Sequence, residues 1–143
     1  MIDAEVLVVG GGPAGSSVAT FLARAGVDVL VVDRARFPRP KPCAEYLSPQ
    51  ASRLLEAMGA LENVEKSGAA QLSGISVRAP SRDVIKGDFV ASHGFRGFRD
   101  RGLSVRREVL DAILVDCARE AGARVSEGIR VTDVVRDATH RVA

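Results

Sequence analysis

The sequence predicts an α/β fold: a parallel β-sheet flanked by helices, with the start of an inserted antiparallel sheet. Three observations point there. Val6-Leu7-Val8-Val9 gives way at Gly10 to apolar residues at helical spacing, and a second apolar run, Val27 to Val32, follows. Between about Leu72 and Val90 the texture changes, and Ile75-Ser76-Val77 and Val84-Ile85 through Phe89-Val90 read as short antiparallel strands. A helix–strand pair then returns, with a helix from about Arg107 and strand-like residues at Arg124-Val125 and Ile129 to Val135.

Each element has a local reason. Glu5 to Val9 lacks polar alternation, which reads as a strand buried on both faces. From Pro13, Val18, Leu22 and Ala25 share one stripe, the small residues Ala14, Gly15 and Ala19 permit close approach, and Gly26 marks the stop. Strand, turn, helix and strand within about 30 residues form a βαβ unit. Prolines at 38, 40 and 42 make Arg34 to Pro42 extended or irregular. Ser48-Pro49 reads as a cap and first helical residue, the helix running through Leu54, Leu55 and Met58 to Gly59. His93 to Gly102, rich in glycine and arginine, reads as a mobile loop, and Leu103 to Val105 as a short strand. In the helix from Arg107, the apolar stripe is Val109, Leu110, Ile113, Leu114, Cys117 and Ala121, with Gly122 at the stop.

Composition narrows the function classes. The chain has 143 residues, 46% hydrophobic and 27% charged, as in a globular domain. Tryptophan is absent and aromatics make up 4%, so base-stacking platforms have little to be built from. Twenty Lys and Arg against 18 Asp and Glu leave a net charge of +2, which argues against nucleic acid as a partner. Cys43 and Cys117 form no CxxC pattern, so a reducing compartment is expected. With no apolar run near the ~18 residues a membrane span needs, the reading is cytoplasmic.

The chemistry is carried by Gly10-x-Gly12-x-x-Gly15, placed after a strand and opening a helix. In this setting the first glycine makes the tight turn, the second admits a pyrophosphate to the backbone, and the third lets helix and strand pack closely. Free N–H groups at the helix N-terminus, with the positive end of its dipole, face the phosphates. Asp33, 23 residues after Gly10, stands where a carboxylate accepts ribose hydroxyls. The reading is a Rossmann-like dinucleotide site, and an acid at the ribose position disfavours the 2′-phosphate of NADPH there. The proline-rich segment and antiparallel texture, in place of a further helix and parallel strand, select FAD over NAD.

Three stretches carry a resemblance in order along nearly the whole chain. They are the glycine-rich unit, Pro38-Arg39-Pro40-Lys41-Pro42-Cys43-Ala44-Glu45-Tyr46-Leu47-Ser48-Pro49, and Arg107-Glu108-Val109-Leu110-Asp111 before a helix ending in Ala121-Gly122-Ala123. Together they resemble the geranylgeranyl reductase family of FAD-dependent oxidoreductases, within the wider group that holds para-hydroxybenzoate-type hydroxylases and flavin halogenases. The resemblance implies FAD held at Gly10, Gly12, Pro13, Ala14 and Gly15, with Ala14 at the pyrophosphate and Asp33 at the adenosine ribose, Arg34 beside it. It implies that the turn of Cys43, Ala44 and Tyr46 passes the flavin end, that Arg107 reaches the phosphate or ribityl region, and that the Val131 backbone touches adenine. Where the family commonly has glycine on both sides of the glutamate, Ala44 and Tyr46 stand here, which points to a less open turn and a substrate other than a polyprenyl chain.

The implied reaction is hydride transfer from reduced flavin to a carbon–carbon double bond of an isoprenoid or other lipid-like substrate, with NAD(P)H as external reductant. A flavin monooxygenase or halogenase is the alternative; a non-catalytic nucleotide-binding fragment is one of another class. Residues 1–143 are expected to form an incomplete FAD-binding domain, with about 72–102 opening the inserted substrate region. The family's later Gly-Asp type segment is absent, so these 143 residues alone are expected to bind FAD weakly and not turn over. The full enzyme would have no transmembrane segment in this region; peripheral membrane contact and oligomeric state stay open.

Other residues have plainer readings. Cys43 is the one candidate for a redox role, against a small packed residue, since no adjacent base or helix N-terminus is evident to lower its pKa. Arg107 at a helix N-terminus is electrostatically disfavoured and is better explained by a nearby phosphate. Arg96, Arg99 and Arg101 with Phe95 and Phe98 read as a loop over a flavin or substrate site, or as a solvated loop. His93 and His140 lack the companions of a metal site. Cys117 reads as core.

Overall fold

The computed structural model describes residues 4–90, 97–136 and 138. His93, Phe95, Arg96 and His140, and the chain from 139 to 143, lie outside the described residues. In chain order the elements are β1 (Val6–Val9), α1 (Pro13–Arg24), β2 (Val29–Asp33), β3 (Tyr46–Leu47), α2 (Ala51–Met58) and α3 (Leu61–Lys66). There follow β4 (Ala70–Leu72), β5 (Gly74–Arg78), β6 (Val84–Asp88), β7 (Gly102–Ser104), α4 (Arg107–Glu120) and β8 (Arg124–Glu127).

The parallel sheet has the order β1-β2-β8, with Val6 opposite Val29 and Leu30 opposite Arg124. Both crossovers step in the same direction, so α1 and α4 share one sheet face. There Ala19 and Ala118 pack on Val29 and Val31, with Val6 and Val8 alongside. The antiparallel texture also appears, as a β3-β7-β4 sheet and a separate β5-β6 ribbon. A second core lies on the other side of α4, where Leu110, Leu114 and Cys117 meet Leu55 and Met58 of α2, Val64 of α3 and Leu103 of β7. Cys117 is core, as its stripe position predicts, and burial pushes its thiol pKa up.

Several local readings are corrected. The β1 run reads as buried on both faces, yet Leu7 and Val9 are 53% and 61% exposed. β1 is an outer strand of the described sheet, and the central β2 is the strand buried at every residue. On α1 the buried face is Ser16, Ala19 and Thr20, while Val18 is exposed. Small side chains let this helix lie close to the sheet, and their hydroxyls are satisfied by Gly11 O at 3.0 Å and Ser16 O at 2.8 Å.

The cap at Ser48 acts one turn early: Ser48 Oγ accepts from the Ala51 N–H at 3.3 Å, residues 48–50 form the lead-in, and the helix begins at Ala51. Leu54 faces solvent, and α3 was not anticipated from the pattern because its six residues present one buried side chain, Val64. Because α4 is wedged between two cores, it buries Asp111, Val115 and Ala118 besides Leu110, Leu114 and Cys117 of the expected stripe, while Val109, Ile113 and Ala121 are half-buried. Residues 129–135 form no strand. Ile129 N–H donates to Asp33 O at 2.9 Å, and the chain then leaves β2.

Within the described part of the arginine-rich loop, Arg99 is tied to α3, and the Arg101 pair is local. Arg99 Nη2 donates to Glu65 Oε1 at 2.6 Å, and Arg101 pairs with Asp100 at 3.0 Å.

Candidate nucleotide-binding site

The glycine turn sits at the C-terminal end of β1. Gly10 has φ +103°, a left-handed conformation that side chains disfavour, and its N–H donates to Val32 O at 2.8 Å. A Cβ on Gly15 would come within 1.9 Å of Gly10 O, so only glycine permits this approach of helix to turn. Gly12 precedes the first helical turn in extended conformation, Pro13 occupies its first positions, and no side chain caps it. The first-turn N–H groups of α1 therefore lack intrahelical partners.

They open onto a cavity of about 1100 Å³. Gly10, Gly12, Pro13, Ala14 and Gly15 form one wall; Asp33 and Arg34 form another. Arg39 to Pro42, Arg107 and Ile129 to Val131 complete it. Arg34, Arg39, Lys41, Arg107 and Arg130 line this space against a single acid, Asp33. The cavity suits an elongated anion.

Asp33 is 7% exposed at the end of β2. Its Oδ2 accepts the Gly11 N–H at 2.8 Å and its Oδ1 the Ala35 N–H at 2.8 Å. The carboxylate thus ties the glycine turn to the strand it faces. An ionised carboxylate offers about four lone-pair sites, so each oxygen keeps capacity for a hydroxyl donor from the cavity.

Arg107 forms a fork with Asp111 one turn on, Nε to Oδ1 at 2.8 Å and Nη2 to Oδ2 at 2.9 Å. This pair holds the guanidinium more firmly protonated than usual and accounts for a cation at the start of α4. A phosphate is therefore not needed to account for a cation at this position, although Arg107 also lines the cavity. Arg39, which sequence reasoning missed, reaches the same carboxylate, Nη1 to Asp111 Oδ2 at 3.2 Å. The i, i+4 spacing of Arg107 and Asp111 was a readable signal for that pair; nothing local marked Arg39.

Cys43, Ala44 and Tyr46 do not line the cavity. Tyr46 stacks on Phe89 at 6.1 Å between ring centroids, and Ala44 is exposed. Cys43 is exposed rather than packed, and it has the neighbours that sequence reading found wanting. The Glu45 N–H and then the Arg107 guanidinium, the first residue of α4, hold its thiol pKa below the ordinary range. Glu45 itself has φ +58°, so the strained residue of this turn is the glutamate and not either neighbour.

The residues present fit FAD: an uncapped helix N-terminus, a glycine where a Cβ would fill the turn, and cations facing both. Among the described residues no helix is long and apolar enough to cross a membrane, and no group of three metal-ligating side chains occurs.

Comparison with known proteins points to FAD as the nucleotide. The FAD binding domain family matches residues 3–143. A menaquinone reductase of Mycobacterium tuberculosis (strain CDC 1551 / Oshkosh) is 36% identical over 140 residues, covering 98% of this chain and 33% of that protein. A tryptophan 2-halogenase of Chondromyces crocatus is 34% identical over 140 residues, covering 97% of this chain and 25% of that protein. The solved structure of the myxobacterial chondrochloren halogenase CndH superposes with a TM-score of 0.83 at 26% identity, over 94% of this chain and 31% of that one. The chain spans about a third of the length of the first of these relatives. A glycine turn, an uncapped helix and a matching family over nearly every residue lead to one conclusion: the chain belongs to the FAD binding domain family, alongside a menaquinone reductase and flavin-dependent halogenases.

Proposed function

We propose that this chain is the FAD-binding part of a flavoenzyme of the geranylgeranyl reductase type. The reaction is reduction of a carbon–carbon double bond in an isoprenoid or other lipid-like substrate, with NAD(P)H as electron source. The observation that carries the reductase reading is the 36% identity, over 98% of the chain, to a protein named menaquinone reductase. FAD, when bound, supplies hydride chemistry to the substrate. The residues here bind and orient. Ala14 and Gly15 at the α1 N-terminus hold the diphosphate, and Asp33 accepts the adenosine ribose hydroxyls with Arg34 beside it. Arg107 reaches the phosphate or ribityl region, the Val131 backbone meets adenine, and the Cys43–Tyr46 turn lies toward the flavin. Residues 1–143 are one incomplete FAD-binding domain, cytoplasmic, and inactive without the rest of the enzyme, which supplies the substrate region begun at 72–102.

A flavin halogenase or monooxygenase is the second reading, favoured by the 0.83 TM-score with CndH. Oxygen separates the two. The protein carrying this sequence, purified with FAD and reduced anaerobically, is expected to saturate a carbon–carbon double bond of a quinone or other lipid-like substrate, detected by a mass increase of two hydrogens. Turnover only when oxygen is admitted, with halide or oxygen incorporated, would replace the reductase reading by the second. A nucleotide-binding fragment with no enzymatic role would bind FAD and give neither product.

A further inference from the structure

We propose that Asp111 is the positioning residue of this site: from behind the cavity wall its carboxylate aims Arg39 and Arg107 together at a diphosphate held over Gly12. The inference rests on the nucleotide reading above. Asp111 is 0% exposed and does not line the cavity, whereas both arginines do. They come from separate parts of the chain, Arg39 from the irregular segment after β2 and Arg107 from the first turn of α4. One oxygen, Asp111 Oδ2, is shared between them, at 2.9 Å from Arg107 Nη2 and 3.2 Å from Arg39 Nη1.

On the cavity side the two guanidinium groups converge again. A Cβ placed on Gly12 would lie 3.7 Å from Arg39 Nη2 and 3.8 Å from Arg107 Nη2. Arg39 is also held from the side, with its guanidinium 5.0 Å from the Phe37 ring centre and 3.9 Å from Asp33 Oδ2. A purely structural ion pair would need one cation for a buried carboxylate. Two are gathered, on the turn where the α1 N-terminus already favours an anion. Asp111 offsets the repulsion between them, fixing the Arg107 fork and one end of the Arg39 guanidinium, so that little reorganisation is left for the ligand to drive.

The sign of one substitution separates aiming from simple charge. Asp111→Asn keeps the shape and removes a negative charge, so Coulomb's law alone would tighten binding of an anion. Positioning requires the opposite. In the protein carrying this sequence, the Asn variant should bind FAD, and ADP as a flavin-free probe, about 10–100-fold more weakly by calorimetric titration, as expected for loss of charge-assisted hydrogen bonds. In an Arg39→Ala/Arg107→Ala background, Asp111→Asn should cost nothing further, which a general loss of stability would not reproduce. Unchanged or tighter ADP binding in Asp111→Asn would overturn the proposal, as would a full loss persisting in that background. Should the Asn variant not fold, Arg39→Lys and Arg107→Lys keep the charge and lose the fork; undiminished ADP binding in both would also overturn it. Failure of the unsubstituted protein to bind either nucleotide removes the site reading itself, whereas normal wild-type binding with an indifferent Asp111→Asn removes only the role of Asp111.

Discussion

The parallel-sheet lobe and the β5-β6 ribbon both carry β-branched residues on their strands, and these have opposite fates. In the lobe, β2 is buried throughout because α1, α4 and the neighbouring strands β1 and β8 enclose it. In the ribbon, Ile75, Val77 and Ile85 are 53%, 56% and 76% exposed, though Val77 and Ile85 are cross-strand partners on one face. A two-stranded ribbon is marginal by itself. Enclosure by other elements separates the buried strand of the lobe from the open ribbon.

Four measurements can break or sharpen this contrast. Leu114→Ala, in the core between α4 and α2–α3, should lower unfolding free energy by about 2–5 kcal/mol in urea titration; a loss below about 1 kcal/mol would mean that core is not cooperative with the lobe. Gly15→Ala drives a Cβ into Gly10 O and should cost about 1–3 kcal/mol, together with most FAD affinity. Retained affinity in a flavin titration would show that the turn yields without harm to the site.

Ile85→Thr on the open ribbon should change stability by no more than about 0.5 kcal/mol; a larger loss would show that its apolar face is covered in solution. Cys43, in the stretch that joins the two regions, should have no effect on the melt. Its lowered pKa predicts that alkylation rate rises with pH about a midpoint below that of a free thiol, because the thiolate is the reacting form. Arg107→Gln should move that midpoint upward, and a profile indifferent to Arg107 would leave the backbone at Glu45 and Ala44 as the cause.

The glycine spacing and the apolar run before it made the βαβ unit, the turn and the position of Asp33 readable, because these depend on contacts among neighbours in sequence. The antiparallel strands were legible only as texture. The Cys43–Tyr46 turn was readable as a motif but not as geometry: its strain falls on Glu45, and its thiol meets Arg107 across 64 residues of chain.

By itself, the sequence determined the α/β class, the nucleotide turn and the two ends of α4, since periodicity, capping and glycine conformation are local properties. Tertiary structure decided which faces were buried. β1 proved an outer strand, α1 turned its small residues inward, and α4 was enclosed on two sides. It also brought Arg39 to Asp111, because a salt bridge between distant segments depends on where the chain returns and leaves no periodic trace in the order of residues.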